Sequence, residues 1–129
     1  MRFLSIRSLI AAVACLAACA ALSVAPAGAL PTATGYDRCP QGRFCLFDGW
    51  DGQGDMYLAT GTRYDQVLAE AGFDDRASSV FNNASIVWCV WQGPNYTGRG
   101  AGYSAGLREN LDDAFNNQVS SVNYGRFTC

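Results

Sequence analysis

The sequence predicts an all-β sandwich of two equivalent units held by disulfides, and three observations predict it. The octapeptide Phe73-Asp74-Asp75-Arg76-Ala77-Ser78-Ser79-Val80 returns 42 residues later as Phe115-Asn116-Asn117-Gln118-Val119-Ser120-Ser121-Val122. Repetition at a fixed period marks a duplicated supersecondary unit. Fourteen Gly, 12% aromatic residues and short β-branched runs set between turn residues describe a turn-rich β domain. Beyond the leader, four cysteines remain, Cys39, Cys45, Cys89 and Cys129. An even number in a small exported chain indicates two disulfides in preference to a metal site or free thiols.

The N-terminus is a processing signal. Arg2 and Arg7 lead into an apolar run from Leu9 to Val24 that ends in Ala27-Gly28-Ala29. This is the pattern of a secretory signal peptide over residues 1–29, its apolar run shorter than a membrane span, and it predicts a secreted, extracellular protein. A second processing site competes: Leu16-Ala17-Ala18-Cys19 resembles a lipoprotein box that would leave a lipid on Cys19, although the residues after it stay apolar instead of forming a polar tether. No membrane contact is expected unless Cys19 is lipidated.

The remaining chain, 30–129, reads as one monomeric domain, with repeat one over about 39–84 and repeat two over about 85–129. Cys45-Leu46-Phe47-Asp48-Gly49 answers to Cys89-Val90-Trp91-Gln92-Gly93 at an offset of 44, and Gly54 answers to Gly98. Each unit reads strand, glycine-rich turn, second strand, loop, clamp, strand. Arg43 to Phe47, Met56 to Ala59, Ser78 to Phe81, Ser85 to Trp91 and Ser120 to Tyr124 are the predicted strands. Tyr64 to Ala71 alone looks helical, with Asp65 as N-cap and Gly72 as stop. No linker separates the halves, and neither, at roughly 45 residues, can bury enough surface alone, so the two interlock around one core. Four cysteines allow three pairings; Cys39–Cys45 as a local clip and Cys89–Cys129 as a tie from a central strand to the last residue are favoured.

Composition removes several function classes. Beyond the leader, seven Arg and no Lys face eleven acids, a net charge of −4, so nucleic acid is not an expected partner. There is no His anywhere in the chain, so a serine nucleophile lacks its usual base and a catalytic zinc lacks imidazole ligands. The adjacent pairs Asp74-Asp75 and Asp112-Asp113 read as solvated turns, not as carboxylates flanking a sugar. A binding protein, not an enzyme, is expected.

The spacing Phe47 to Gly54 and Trp91 to Gly98, followed in each half by a clamp of the form [ND]-[ND]-x-x-[ST]-S, resembles the βγ-crystallin Greek-key motif over about 90 residues. Tyr96 supplies the second aromatic of the later hairpin; Gly52 stands in its place in the earlier one. The resemblance implies a βγ-crystallin-like sandwich of two Greek keys. It also implies that each clamp lends ligands to both of two calcium sites. Hard cations take carboxylate, amide and carbonyl oxygens and hydroxyls from a tight loop, which the clamps offer. The candidate ligands are Asp74, Asp75, Arg76 and Ser78 in the first clamp and Asn116, Asn117, Gln118 and Ser120 in the second, Arg76 and Gln118 acting through their carbonyls. With a neutral second clamp, up to two ions are expected to bind weakly. The competing reading is that these Asx and Ser residues cap turns.

A narrower resemblance rests on Cys39-Pro40-Gln41-Gly42-Arg43-Phe44-Cys45-Leu46-Phe47, Asn82-Asn83 and Val87-Trp88-Cys89-Val90. The chain is similar to the secreted metalloproteinase inhibitors of Streptomyces type. This implies inhibition of a secreted, thermolysin-like metalloprotease by a rigid reactive bond at Cys89–Val90, with Val90 entering the enzyme's apolar pocket. Strand alternation opposes exposure of that bond, because both faces of 86–91 are apolar. The alternative function is a calcium-binding or calcium-stabilised crystallin module, structural or killer-toxin-like, with no protease target.

Overall fold

In the computed structural model, residues 32–59, 61, 67–125 and 129 are described. The expected signal peptide over 1–29, the candidate lipoprotein cysteine Cys19 and residues 64–66 of the expected helix, with Asp65 as its expected cap, lie outside them. Among the described residues seven strands are present: β1 (Phe44–Phe47), β2 (Met56–Leu58), β3 (Ser79–Asn82), β4 (Trp88–Gly93), β5 (Thr97–Tyr103), β6 (Arg108–Asn110) and β7 (Ser121–Tyr124). They form two antiparallel sheets, ordered β2-β1-β3-β6 and β5-β4-β7.

The interlock lies in β6. It belongs by sequence to the second repeat yet pairs with β3 of the first, Asn110 opposite Ser79. Among the described residues the reciprocal crossing is the bridge between Val67 and Ser121. Because Ser79 and Ser121 are repeat-related, the two crossings are equivalents. Each half therefore completes the other's sheet, the connection expected of a Greek key.

Alternation along the strands assigns the faces. Phe44, Leu46, Val80, Trp88, Val90, Tyr103 and Val122 point into one shared core together with Leu68, Phe73, Leu111, Phe115 and Val119. Phe44 and Trp88 stack across the two sheets with centroids 4.9 Å apart and planes 8° from parallel. A fully buried side chain of this size contributes roughly 1.5–3 kcal/mol relative to exposure.

The outward faces are covered by the ends of the domain. Cys45, Phe47 and Phe81 form a second cluster with Tyr36 and Cys39 from the N-terminal segment, which the Cys39–Cys45 disulfide secures. Cys89 is bonded to Cys129, which lies over Gly100 and Gly102. A Cβ on Gly100 would meet the Trp91 ring and the Cys129 backbone at 2.8–2.9 Å. Glycine at 100 and 102 leaves room for Cys129 to lie closely over the strand.

Three expectations need adjustment. The strand foreseen from Ser85 begins at Trp88, since Asn82 donates through Nδ2 to Ile86 O at 2.8 Å and accepts the Ala84 N–H at 3.1 Å, bending 84–86 out of the sheet. Ile86 is left exposed. The described part of the predicted helix is a 3-10 turn, Leu68–Ala71, ended by Gly72 in the left-handed region at φ 66°. Two strands fall outside the predicted ranges: the glycine-rich β5, Thr97–Tyr103, and β6, Arg108-Glu109-Asn110, which lacks any apolar pattern.

Candidate functional site

The two clamps meet across the repeat axis. Asp75 and Asn117, at equivalent positions, share a left-handed backbone with φ of 54° and 56°. Asx residues tolerate that region better than other non-glycine residues. Asp75 N donates to Val119 O at 3.1 Å, and Asn117 N donates to Ala77 O at 2.8 Å. Side chains cross in the same sense: Ser120 Oγ donates to Asp75 Oδ1 at 3.5 Å and Ser78 Oγ to Asn117 Oδ1 at 3.4 Å. Each oxygen pair thus combines an Asx from one clamp with a serine from the other.

The remaining clamp residues do not join these pairs through their side chains. Arg76 turns toward the first hairpin, where its guanidinium donates to Asp48 Oδ2 at 2.6 Å, Asp55 Oδ2 at 2.8 Å and Gly72 O at 3.0 Å. Those hydrogen bonds to Asp55 and Asp48 raise its pKa further. Gln118 Nε2 donates to Asp113 O, Asp74 is exposed, and Asn116 Oδ1 is buried with no hydrogen-bond partner among the described residues. Among the described residues no three His, Cys, Asp or Glu cluster, so a cation here would draw on one carboxylate, amide oxygens and hydroxyls. Those are hard ligands and suit calcium in type, with a charge count that suits weak binding.

The second serine of each clamp has a role that reading the clamp as a ligand set missed. Ser79 Oγ donates to Gly49 O at 2.6 Å and accepts from Gly52 N at 3.0 Å. Ser121 Oγ donates to Gly93 O at 2.7 Å and accepts from Tyr96 N at 3.0 Å. Each buried hydroxyl thereby closes the folded hairpin of its own repeat. The identical Ser-Ser ending of both clamps was the available signal.

Gly52, the departure from the hairpin pattern, is explained by the N-terminal segment. A side chain there would run into the backbone of Gly35 and Tyr36. Tyr36 itself supplies the missing aromatic, meeting Phe47 edge-on at 5.7 Å and Phe81 at 6.1 Å. Arg38 stitches the segment down by donating to Gly52 O at 2.7 Å and Gly54 O at 2.8 Å.

The Cys89–Val90 bond is not presented on the folded surface, in keeping with the strand alternation that opposed its exposure. Both side chains are fully buried, and β4 is the central strand of its sheet, with Val90 flanked by Ala101 on β5 and Val122 on β7. Cys89 faces outward but is covered by Cys129; Val90 fills the core. Among the described residues the large apolar side chains that do reach solvent are Trp50, Leu58 and Ile86.

Residues 32–103 match the family model for peptidase inhibitor family I36. Among solved structures the fold is similar to a βγ-crystallin from Ciona intestinalis at 21% identity and a TM-score of 0.57, covering 65% of this chain and 100% of that one. It is also similar to the N-terminal domain of protein S, at 24% identity and 0.55 over 67% of this chain and 99% of that one. A βγ-crystallin domain from Flavobacterium johnsoniae aligns at 18% identity and 0.53 over 67% and 97%. At these identities the likeness is one of fold. No curated protein matches.

Proposed function

The chain belongs to peptidase inhibitor family I36, and from that we propose that it is a secreted inhibitor of metalloproteases of the thermolysin-like class. Family membership carries this reading. The disulfide-held sandwich supports it, because a scaffold with both ends pinned loses little conformational entropy on docking to an enzyme. The reading does not run through Cys89–Val90 as an accessible bond: reaching it requires β5 or β7 to leave β4. The test is titration of the purified exported protein against metallo-, serine, cysteine and aspartic proteases. Tight inhibition confined to metalloproteases is the expected result; inhibition of another class alone would overturn the metalloprotease assignment.

A second reading is compatible with the first. We infer that the crossed pairs Asp75/Ser120 and Asn117/Ser78 can each contribute to a weak calcium site that stiffens the scaffold. A melting temperature that rises with millimolar calcium and falls back on chelation supports it. An unchanged melting curve counts against it.

A further inference from the structure

We infer that Trp50 is the docking anchor of this inhibitor, seating its indole in an apolar specificity pocket of the partner protease; the inference rests on the inhibitor reading above. With Cys89–Val90 buried, the contact surface must come from elsewhere on the domain. Trp50 is 51% exposed, against 41% for Ile86 and 38% for Leu58, and it offers the largest apolar side chain of the three. An exposed tryptophan on a fixed backbone is what interface hot spots are made of.

The backbone beneath it is fixed from several directions. Gly49 N donates to Gln53 O at 3.1 Å, and Gln53 N donates back to Trp50 O at 3.0 Å. Ser79 Oγ bridges Gly49 and Gly52 from below. Asn110, reaching over from β6, accepts from Asp51 N at 2.7 Å and donates to Asp51 Oδ1 at 2.9 Å. Arg38 holds the Gly52 carbonyl. Only two side-chain torsions of Trp50 remain to be ordered on binding, a small entropic cost.

Closing the turn does not require an indole here. The repeat-related turn, Gly93-Pro94-Asn95-Tyr96, carries proline at the equivalent position and closes with the same serine clasp, Asn95 at φ 55° matching Asp51 at φ 55°. Asn110 braces Asp51 in the first turn, whereas the corresponding position of the other crossing is Val67, whose side chain cannot hydrogen-bond. Charge favours a protease pocket over an anionic lipid surface. Asp48 and Asp55 flank the loop and are paired with Arg76, Asp51 lies within it, and Arg38 is engaged with backbone carbonyls, so the loop presents acid and not unpaired arginine.

The experiment measures inhibition constants of the whole exported protein and its variants against a thermolysin-class metalloprotease. Trp50→Ala is expected to weaken inhibition by at least ~30-fold, about 2 kcal/mol, with the melting temperature unchanged. Trp50→Phe retains part of the affinity, and Leu58→Ala and Ile86→Ala, which remove apolar area elsewhere, stay within about threefold of the parent. Acrylamide quenching gives a direct second measure: the exposed indole emission, assigned through Trp50→Phe, becomes shielded in the complex. Inhibition by Trp50→Ala equal to the parent's overturns the inference and leaves the inhibitor reading standing. A parent protein that inhibits no protease overturns both, at a different step of the same experiment.

Discussion

Cys45 and Cys89 occupy the same position in the two repeats, and each holds one end of the domain against the outer face of its own sheet. Cys45 binds Cys39 six residues before it; Cys89 binds Cys129 forty residues after it. On the chain-entropy account the long loop contributes about 4 kcal/mol and the short one about 2 kcal/mol. Replacing Cys89 and Cys129 together by Ala should therefore lower stability roughly twice as far as replacing Cys39 and Cys45. Urea midpoints of the two double variants check the order, and equal losses would reject it.

The clamp chemistry can be separated from clamp folding. Asp75→Asn keeps a residue that accepts the left-handed backbone and still accepts the Ser120 hydroxyl, so only the carboxylate is removed. Without calcium its melting temperature should match the parent's, while the calcium-induced rise should shrink. Asn117→Asp, which places a second carboxylate at the repeat-related position, should enlarge that rise. Thermal melts with calcium and with chelator measure both, and identical responses in all three proteins would leave the clamps as turn caps.

Burial of Val90 changes what a substitution there reports. Val90→Ala opens a core cavity and should cost about 2 kcal/mol, yet inhibition measured well below its melting temperature should be unchanged. Val90→Asp buries an unpaired charge and should not fold. A tenfold or larger loss of inhibition by folded Val90→Ala would return the bond to the interface.

Alkaline pH should destabilise the domain. Burial first, then the negative charges of Glu109 and Asp112, raises the Tyr103 hydroxyl above its ordinary value of 10.0, and burial raises Tyr36 in the same direction. Above about pH 10 the unfolded chain releases these protons while the folded chain keeps them, so the folded state binds more protons there. Stability is then fully present below pH 10 and declines as pH rises beyond it. Denaturation midpoints from pH 8 to 12 should fall for the parent and fall less steeply for Tyr103→Phe. With no His in the chain, no histidine-driven transition between pH 5 and 8 is expected.

The duplicated clamp, the Cys45/Cys89 and Gly54/Gly98 offsets, and the short apolar and aromatic segments at 44–47, 79–82 and 121–124 were readable in one dimension, because each is a local pattern repeated at nearly constant spacing. They were sufficient for an all-β, two-repeat, disulfide-bonded domain and for the family. β6 was not readable: its charged residues form a strand only because β3 of the other repeat offers an edge to pair with. Tyr36 filling the place of the aromatic absent at Gly52 is likewise a contact between segments with no common sequence pattern. The candidate site divides the same way. Side-chain types in the clamps were visible locally, but the pairing of Asp75 with Ser120 and Asn117 with Ser78 exists only once two loops 42 residues apart are brought face to face. Burial of Cys89–Val90 and exposure of Trp50 followed from which strand became central and which turn stayed at the rim, and strand order is settled by long-range pairing, not by local propensity.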